Sequence, residues 1–252
     1  MKLSGCNASL GGTVKTFVAD FDARPLLPGK CGNCASYEFC IARGLSLKNS
    51  VDGGGVLIEE HSFRKGDILA REGEHVHHLR VVKVGSVCLG RRGSDGHIDP
   101  VAILGRGAVV GFCSYFGQPN QQGSVALSSG RYCEISTEAL ACLARSAQKI
   151  WDQVGRACSV AFGTIAGWTQ ATSRPHIAGR VAHSLLLLTE VHHSATVTLP
   201  SNVALAQLLG TTRESVARAL ALLEDQGFIA RRGSRVCEIR PKPLSQWLFL
   251  QP

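Results

Sequence analysis

Between about residues 52 and 135, apolar residues come in short runs that glycines interrupt at regular intervals. Runs such as Val56–Ile58, Leu79–Val84 and Val101–Leu104 are too short for helices and are rich in β-branched residues. Short strands separated by turn residues are typical of an antiparallel barrel or sandwich. The pattern therefore predicts an antiparallel β-barrel in this part of the chain.

From about residue 137 the apolar period changes to a helical one. An a/d stripe that continues over about three heptads predicts a long helix over 137–172. The stripe either packs on the barrel of its own chain or pairs with a second copy of the chain. The length of the helix and the small side chain of Ala161 favour a homodimer. The predicted dimer interface contains the stripe residues Trp151, Val154, Cys158, Ala161, Ile165 and Trp168.

Two short helices are predicted in PSNVALAQLLGTTRESVARALALLEDQGFI, residues 200–229. Ser201 and Thr212 are suitable N-caps, and Gly210 can end the first helix in a left-handed conformation. The hairpin IARRGSRVCEIR follows, so the segment predicts a winged helix-turn-helix.

The outward residues of this motif are predicted to bind DNA. Arginine can pair with guanine, and glutamate can accept from the cytosine amino group. The alternative is an ordinary Glu214–Arg218 pair on a solvated face. The wing arginines would contact phosphates. The full predicted DNA-binding set is Thr211, Thr212, Arg213, Glu214, Ser215, Ala217, Arg218, Arg231, Arg232 and Arg235.

Composition supports an anionic partner, because the 252 residues carry a net charge of +8 and a pI of about 9.1. The start has no apolar run behind a basic region, and no later run is long enough to span a bilayer. A cytoplasmic protein without membrane contact is expected. No triad or metalloenzyme spacing is present, which argues against an enzyme.

Three of the ten cysteines lie within CGNCASYEFC: Cys31, Cys34 and Cys40. They follow residues 1–30, which are rich in Gly, Ser, Asn and Pro and are predicted to form a flexible tail. Disulfides are rare in a reducing compartment. Thiolates at this spacing can converge on an iron–sulfur cluster, although structural zinc and a metal-free thiol switch remain alternatives.

The chain resembles the CRP/FNR family of bacterial transcription regulators in four features. In order along the chain, they are RKGDILAREGEHVHHLRVVKVGSV, ILGRGAVVGF, the long helix and RESVAR. The resemblance implies an α+β fold class. After the tail, 31–136 would form a cysteine-rich loop and a cyclic-nucleotide-binding-like β-barrel. Residues 137–172 would form the dimerisation helix, and 173–252 the winged helix-turn-helix domain.

The resemblance also indicates a branch. Cyclic-nucleotide sensors of this fold usually hold the phosphate with a Glu and an Arg, but residues 111–129 contain neither. Cyclic AMP sensing is therefore not expected. FNR-like sensors complete their [4Fe-4S] cluster with a distant cysteine, which corresponds here to Cys133 in RYCEIS. The implied ligands are Cys31, Cys34, Cys40 and Cys133, with Cys113 as the rival fourth ligand.

FNR-like proteins bind DNA as dimers while the cluster is intact, and oxygen degrades it. The resemblance thus implies an oxygen sensor, also open to nitric oxide, that binds a near-palindromic site containing TGA. An activator would also contact RNA polymerase, for which loop 91–97 is the candidate. The alternative is a regulator of this family without a cluster, controlled by a thiol redox switch, haem or a small ligand. Of possible haem ligands, the neighbouring His75, His77 and His78 are predicted to be solvated.

Overall fold

The computed structural model describes residues 17–20, 34, 36–43, 46–49, 58–94, 96, 98–144, 148–233 and 235–250. Most of the predicted flexible tail lies outside these residues. Within it, however, Phe17–Asp20 form strand β1, which pairs antiparallel with β2, Ser46–Asn49. Phe and Val have high strand propensity, which accounts for this departure from the predicted tail.

Two four-stranded antiparallel sheets follow, as the glycine-punctuated pattern predicts. Their strands are β3 (Ile58–Phe63), β4 (Ile68–Ala70), β5 (His78–Val84), β6 (Val87–Arg92), β7 (Ile98–Leu104), β8 (Val109–Val110), β9 (Gly123–Ala126) and β10 (Gly130–Ser136). The first sheet has the order β3-β10-β5-β8 and the second β4-β9-β6-β7. The two sheets form a barrel-like domain, which we call the sensor domain after the role that the resemblance predicts for it.

Both faces of the first sheet are covered by apolar clusters. Successive side chains of a strand point to opposite faces, so each strand contributes to both clusters. In β5, Val82 belongs to a barrel core that also contains Phe63 and Leu104. Leu79 and Val81 belong to an outer cluster on the other face. The outer cluster consists of Ile41, Leu79, Val81, Ile135, Leu140 and Val154. It brings the cysteine loop, the barrel and the long helix together.

Two helices occupy the predicted 137–172 region: α1, Thr137–Ala144, and α2, Gln148–Thr172. Residues 145–147 lie outside the described residues. Val154 is 3% exposed and packs in the outer cluster, and Trp168 is fully buried in its own protomer. These two side chains are therefore enclosed by their own chain, and the predicted dimer interface through the stripe stays a prediction. Helix α2 lies on its own barrel, so part of the heptad stripe is used inside the protomer.

The C-terminal part is a winged helix-turn-helix, as predicted. Its elements are α3 (Ile177–His192), β11 (Thr196–Thr198), α4 (Asn202–Leu208), α5 (Arg213–Asp225), β12 (Ile229–Arg232), β13 (Val236–Ile239) and α6 (Pro241–Leu250). The three strands form a sheet with the order β11-β13-β12. A core around Leu185, Leu205 and Leu220 joins α3 to α4 and α5 and also includes Ile103 of the barrel.

Candidate functional site

The helix-turn-helix begins each of its two helices at a side-chain cap. Ser201 Oγ accepts from the Ala204 N–H at 3.2 Å, and Thr212 Oγ1 accepts from the Ser215 N–H at 3.2 Å. Gly210, with φ +58°, takes the left-handed turn between the helices. Because glycine adopts this conformation without strain, the sequence can place α5 at a sharp angle after α4. These contacts confirm the predicted caps.

The start of α5 presents the predicted recognition residues to solvent. Arg213, Glu214 and Arg218 are exposed, while Ser215 and Ala217 are partly buried. The Arg218 guanidinium donates to Ser215 Oγ at 3.3 Å. Within the described chain, Glu214 and Arg218 form no ion pair with each other, so the solvated-pair alternative lacks its contact. Of the predicted turn residues, Thr211 is partly buried and Thr212 exposed.

The wing arginines differ in their surroundings. Arg231 donates through Nε to Glu224 Oε2 at 2.7 Å and through its backbone N–H to Oε1 at 2.9 Å. These bonds hold the pKa of Glu224 below its usual value. Arg232 pairs with Glu238 at 2.9 Å, and Arg235 is exposed. Arg231 is therefore largely neutralised, whereas Arg235 offers an open cation to a phosphate.

An open groove of about 580 Å³ lies between the start of α4, helix α5 and the wing. Its lining includes Ser201, Asn202, Arg213, Arg231 and Arg235. Hydroxyl, amide and guanidinium groups are the donors that contact phosphate oxygens in protein–DNA complexes. The groove thus joins the helix-turn-helix and the wing into one continuous surface with donors suited to phosphate.

The second candidate site lies on the outer face of the sensor domain. Cys133 of β10 pairs in register with Glu60 of β3 and Val81 of β5. Glu60 accepts from Lys83 Nζ at 2.7 Å and from Arg131 Nη1 at 2.8 Å. The hydrogen bond from Lys83 is the main reason that the pKa of Glu60 is lowered. Cys133 is thus surrounded by paired charges on a covered sheet face.

The cysteine loop rests on this same face. The buried hydroxyl of Ser36 donates to the carbonyl oxygen of Lys83 at 2.9 Å. Burial by itself would lower the pKa of Lys83. Its hydrogen bond to Glu60 and the nearby charges of Cys133 and Cys34 outweigh that effect and raise it. Cys34 and Cys133 therefore lie within electrostatic reach of one ammonium group.

Cys40 completes the described part of the loop. Cys40 and Cys133 both pack against the outer cluster, and Cys40 Sγ accepts from the Ala42 N–H at 3.4 Å. Cys31 lies outside the described residues. Among the residues that the structure does describe, no group of three or more His, Cys, Asp or Glu side chains is assembled to hold a metal ion.

The segment that carries Cys113 also packs against the outer cluster, through Phe112 and Tyr115. Cys113 belongs to the 3₁₀ turn Phe112–Phe116, whose Tyr115 ring meets the Trp151 ring of α2 at a centroid distance of 6.0 Å. Burial, and then the nearby charge of Cys113, raise the pKa of Cys158. Cys113 is therefore associated with the long helix.

The remaining dimer-interface candidates occupy different environments. Trp151 is 47% exposed and Ala161 is exposed, while Cys158 and Ile165 are partly buried. Sequence reasoning missed the most accessible apolar residues of this helix, Val160 and Phe162, which are 61% and 75% exposed. They lie off the a/d stripe, and no heptad signal could have found them.

A polar network inside the sensor domain was also missed. Arg80 Nε donates to Glu134 Oε2 at 2.9 Å, and Arg80 Nη2 lies 2.9 Å from His78 Nε2. Arg80 also donates to the Leu69 carbonyl oxygen and lies over the Tyr132 ring. Of the histidines predicted to be solvated, His75 and His77 are exposed, whereas His78 is partly buried and its pKa is lowered mainly by that burial. Arginine and glutamate on neighbouring strands give no sequence signal for this pair.

Loop 91–97, the candidate polymerase contact, is the connection between β6 and β7. Arg91 and the Arg92 backbone both bind the Glu72 carboxylate, at 3.1 Å and 2.6 Å. Residues 95 and 97 lie outside the described residues.

Comparison with known proteins agrees with this architecture. Residues 60–146 match the cyclic nucleotide-binding domain, and residues 179–246 match the Crp-like helix-turn-helix domain. A CRP-like cAMP-activated global transcriptional regulator of Mycobacterium tuberculosis is 26% identical over 186 residues, which are 69% of this chain and 81% of that protein.

Solved structures show the same fold. FixK2 from Bradyrhizobium japonicum aligns with a TM-score of 0.66 at 23% identity and covers 75% of this chain and 96% of its own. A CRP-family transcriptional regulator from Thermus thermophilus aligns with a TM-score of 0.61 at 20% identity over 75% and 96% of the two chains. No described helix is long and apolar enough to cross a membrane. With a cyclic nucleotide-binding domain followed by a Crp-like helix-turn-helix, the chain belongs to the CRP/FNR family of DNA-binding transcription regulators.

Proposed function

We propose that this regulator senses oxygen through a [4Fe-4S] cluster held by Cys31, Cys34, Cys40 and Cys133. The main observation in support is that the cysteine loop packs on the same face of the first sheet as Cys133. The Ser36 hydroxyl donates to the Lys83 carbonyl oxygen, and Cys34 and Cys133 both lie near the Lys83 ammonium group. The sequence spacing alone does not indicate that Cys34 and Cys133 lie near the same ammonium group.

The donor set fits such a cluster. Cysteine thiolates are the usual ligands of four-iron clusters. Lys83 provides a positive charge beside the thiolates, while Glu60 is already engaged by Lys83 and Arg131. Cys31 has to supply the remaining ligand from the segment just before Cys34. Nitric oxide is a second candidate signal, because it attacks the same kind of centre.

A bound cluster would supply an oxygen-labile cross-link between the cysteine loop and β10. Cys34 and Cys40 would hold the loop, and Cys133 would hold the strand that leads directly into α1 and α2. The outer cluster packs against both Cys40 and Val154 of α2, so a shift of the loop would also act on α2. A ligated state that favours the dimer needs only to stabilise it more than the monomer.

The proposed dimer would place two α5 helices about one DNA turn apart, on a near-palindromic site. Glu214 and Arg218 would read the TGA part of each half-site, and Arg235 would contact phosphate. The exposed ring of Phe162 on α2 supports a helix–helix contact between two copies. If the protein activates transcription, loop 91–97 is the surface proposed for RNA polymerase.

Anaerobic purification tests the proposal. We expect a brown protein containing about four iron and four sulfide per chain, with a visible absorbance band that air bleaches together with specific DNA binding. A colourless, iron-free anaerobic protein with full DNA affinity would contradict it. That result would leave a thiol switch or a small ligand as the signal that regulates DNA binding.

A cyclic nucleotide is the second candidate ligand, favoured by the matched sensor domain and by the cAMP-activated relative. Against it, residues 111–129 contain no Glu or Arg. Arg80, on the inner face of the first sheet, is already bound to Glu134. A buried phosphate would then lack a free cationic partner. Calorimetric titration with cyclic AMP separates the candidates, since tight binding that raises DNA affinity would support the second.

A further inference from the structure

Phe39 joins the cysteine loop directly to the DNA-binding domain. It ends the 3₁₀ turn Tyr37–Phe39, between Cys34 and Cys40. Its ring stacks on the His193 ring with a centroid distance of 3.6 Å and an angle of 7° between the planes. Phe39 is nevertheless 44% exposed, so it lies at the surface of the junction. The contact links two segments that are far apart in sequence.

A turn of the sensor domain completes this junction. The Arg106 N–H donates to the Val191 carbonyl oxygen at 3.2 Å, next to the end of α3. A Cβ atom added at Gly105 would lie 2.7 Å from that same oxygen, and one added at Gly107 would collide with Cβ of Phe39. Both glycines are therefore required for close approach. The turn supports the cysteine loop on one side and α3 on the other.

His193 occupies the joint between the helix core and the wing. It caps α3 in the left-handed conformation, φ 48°, and its N–H donates to the Glu190 carbonyl oxygen at 3.1 Å. The neighbouring Ala195 carbonyl oxygen accepts from the Ile239 N–H of β13 at 2.8 Å. A shift at His193 therefore reaches both α3, which packs on α5, and the wing sheet.

We propose that Phe39 docks the cysteine loop onto His193 and thereby lets the state of the loop set the orientation of the helix-turn-helix within one protomer. The identity of the signal rests on the proposed function, since Phe39 is adjacent to the proposed ligand Cys40. Because Phe39 and Cys40 are consecutive, a backbone shift that draws Cys40 toward a cluster would also move Phe39. This route acts inside each chain, in addition to the dimerisation of α2.

Hydrogen–deuterium exchange on the full-length, metal-free protein tests the docking. In Phe39→Ala we expect the amides of Arg106, His193 and Ser194 to exchange about two- to ten-fold faster, the range that corresponds to loss of one aromatic pair. Phe116→Ala is the matched control, because Phe116 is 51% exposed and contacts Phe112 and Tyr115 within the sensor domain. Unchanged exchange in Phe39→Ala would overturn the docking.

His193→Asn removes the other ring while keeping a residue that tolerates a left-handed backbone. If the two rings act as one contact, Phe39→Ala combined with His193→Asn will exchange no faster than the faster single variant. Additive increases would mean that each ring acts separately, and would contradict the stack.

Reconstitution with iron and sulfide then tests whether the state of the cysteine loop is transmitted through Phe39 to His193. We expect cluster loading to change exchange at His193 and Ser194 in the wild type but not in Phe39→Ala, with iron content measured in both. If cluster loading changes exchange equally in iron-loaded wild type and iron-loaded Phe39→Ala, transmission through Phe39 is overturned. A wild type that binds no iron would instead refute the proposed function, and the metal-free comparison would still decide the docking.

Discussion

The indole N–H of Trp168 donates to the carbonyl oxygen of Ile103 at 3.2 Å, with both side chains buried. Trp168 belongs to α2 and Ile103 to β7, so the bond fixes the end of the long helix to the sensor domain. The same two residues belong to the core of the DNA-binding domain. A shift at the end of α2 would therefore affect both the sensor domain and the core of the DNA-binding domain.

Replacing Trp168 with Phe should lower the free energy of unfolding by about 1–3 kcal/mol. The change leaves the Ile103 carbonyl without its buried donor and opens a small cavity. Urea denaturation followed by circular dichroism measures the loss. Trp151→Phe is the control, because Trp151 is 47% exposed and should change stability by less than about 0.5 kcal/mol. Equal losses in the two variants would contradict the importance of the bond.

Trp168 also shows which contacts of the long helix cannot be predicted from the sequence. A heptad stripe identifies which residues share a helix face, but not whether that face meets the same chain or another. Trp168 and Val154 meet the same chain, because the barrel lies against α2. The caps Ser201 and Thr212 could be predicted, since their hydrogen bonds reach only three residues along the chain.

Contacts between distant segments escape prediction for the same reason. The phosphate contact of Arg231 stays a prediction, and the sequence gives no sign that the folded wing pairs this side chain with Glu224. Phe39 and His193 are likewise brought together only by the packing of the cysteine loop, the barrel turn and α3. The cysteine spacing does give a local signal, and the ligand set remains a prediction.

Acidification should destabilise the folded protein through His183. Its Nδ1 lies 3.3 Å from Arg174 Nε, and burial followed by the Arg174 charge lowers its pKa below 6.5. The unfolded chain then binds the proton more readily than the folded one. The stabilising contribution is therefore complete above pH 6.5 and is lost as the pH falls below it.

Urea titrations at about pH 7.5 and pH 5.5 measure this effect, because they bracket the ordinary histidine pKa. We expect a lower free energy of unfolding at the acidic pH, and a smaller difference between the two in His183→Gln. His78, His192 and His193 also have pKa values lowered mainly by burial, so a residual slope should persist. An identical slope in His183→Gln and wild type would contradict the assignment.

Cys133→Ala should abolish the proposed cluster, because the other ligands all come from the one loop. Cys113→Ala should retain it, since Cys113 lies beside Cys158 of α2. Iron and acid-labile sulfide in anaerobically purified variants measure the difference. Cys88→Ala is a further control, because burial raises the pKa of the Cys88 thiol to about 11 and disfavours a thiolate ligand. Loss of iron in Cys113→Ala but not in Cys133→Ala would reverse the choice of fourth ligand.

Arg218→Ala should relax base preference at one position of the half-site, with a cost of about 1–3 kcal/mol for the preferred base. Arg235→Ala should weaken all sequences alike and reduce the salt slope of binding by about 1, as expected for one lost phosphate contact. Fluorescence anisotropy with matched and single-substituted duplexes at several salt concentrations separates the two. A uniform loss in Arg218→Ala would argue for a phosphate contact instead of base recognition.

Phe162→Asp should shift the protein toward the monomer. Phe162 is 75% exposed in α2, and in a dimer formed through it the new carboxylate would be buried in an apolar contact near its own symmetry mate. Sedimentation velocity on cluster-loaded protein measures the monomer fraction. Phe249→Asp, at an 88% exposed position of α6, introduces the same charge away from α2 and should leave the dimer intact. A dimer that withstands Phe162→Asp but dissociates in Phe249→Asp would move the interface from α2 to the C-terminal helix.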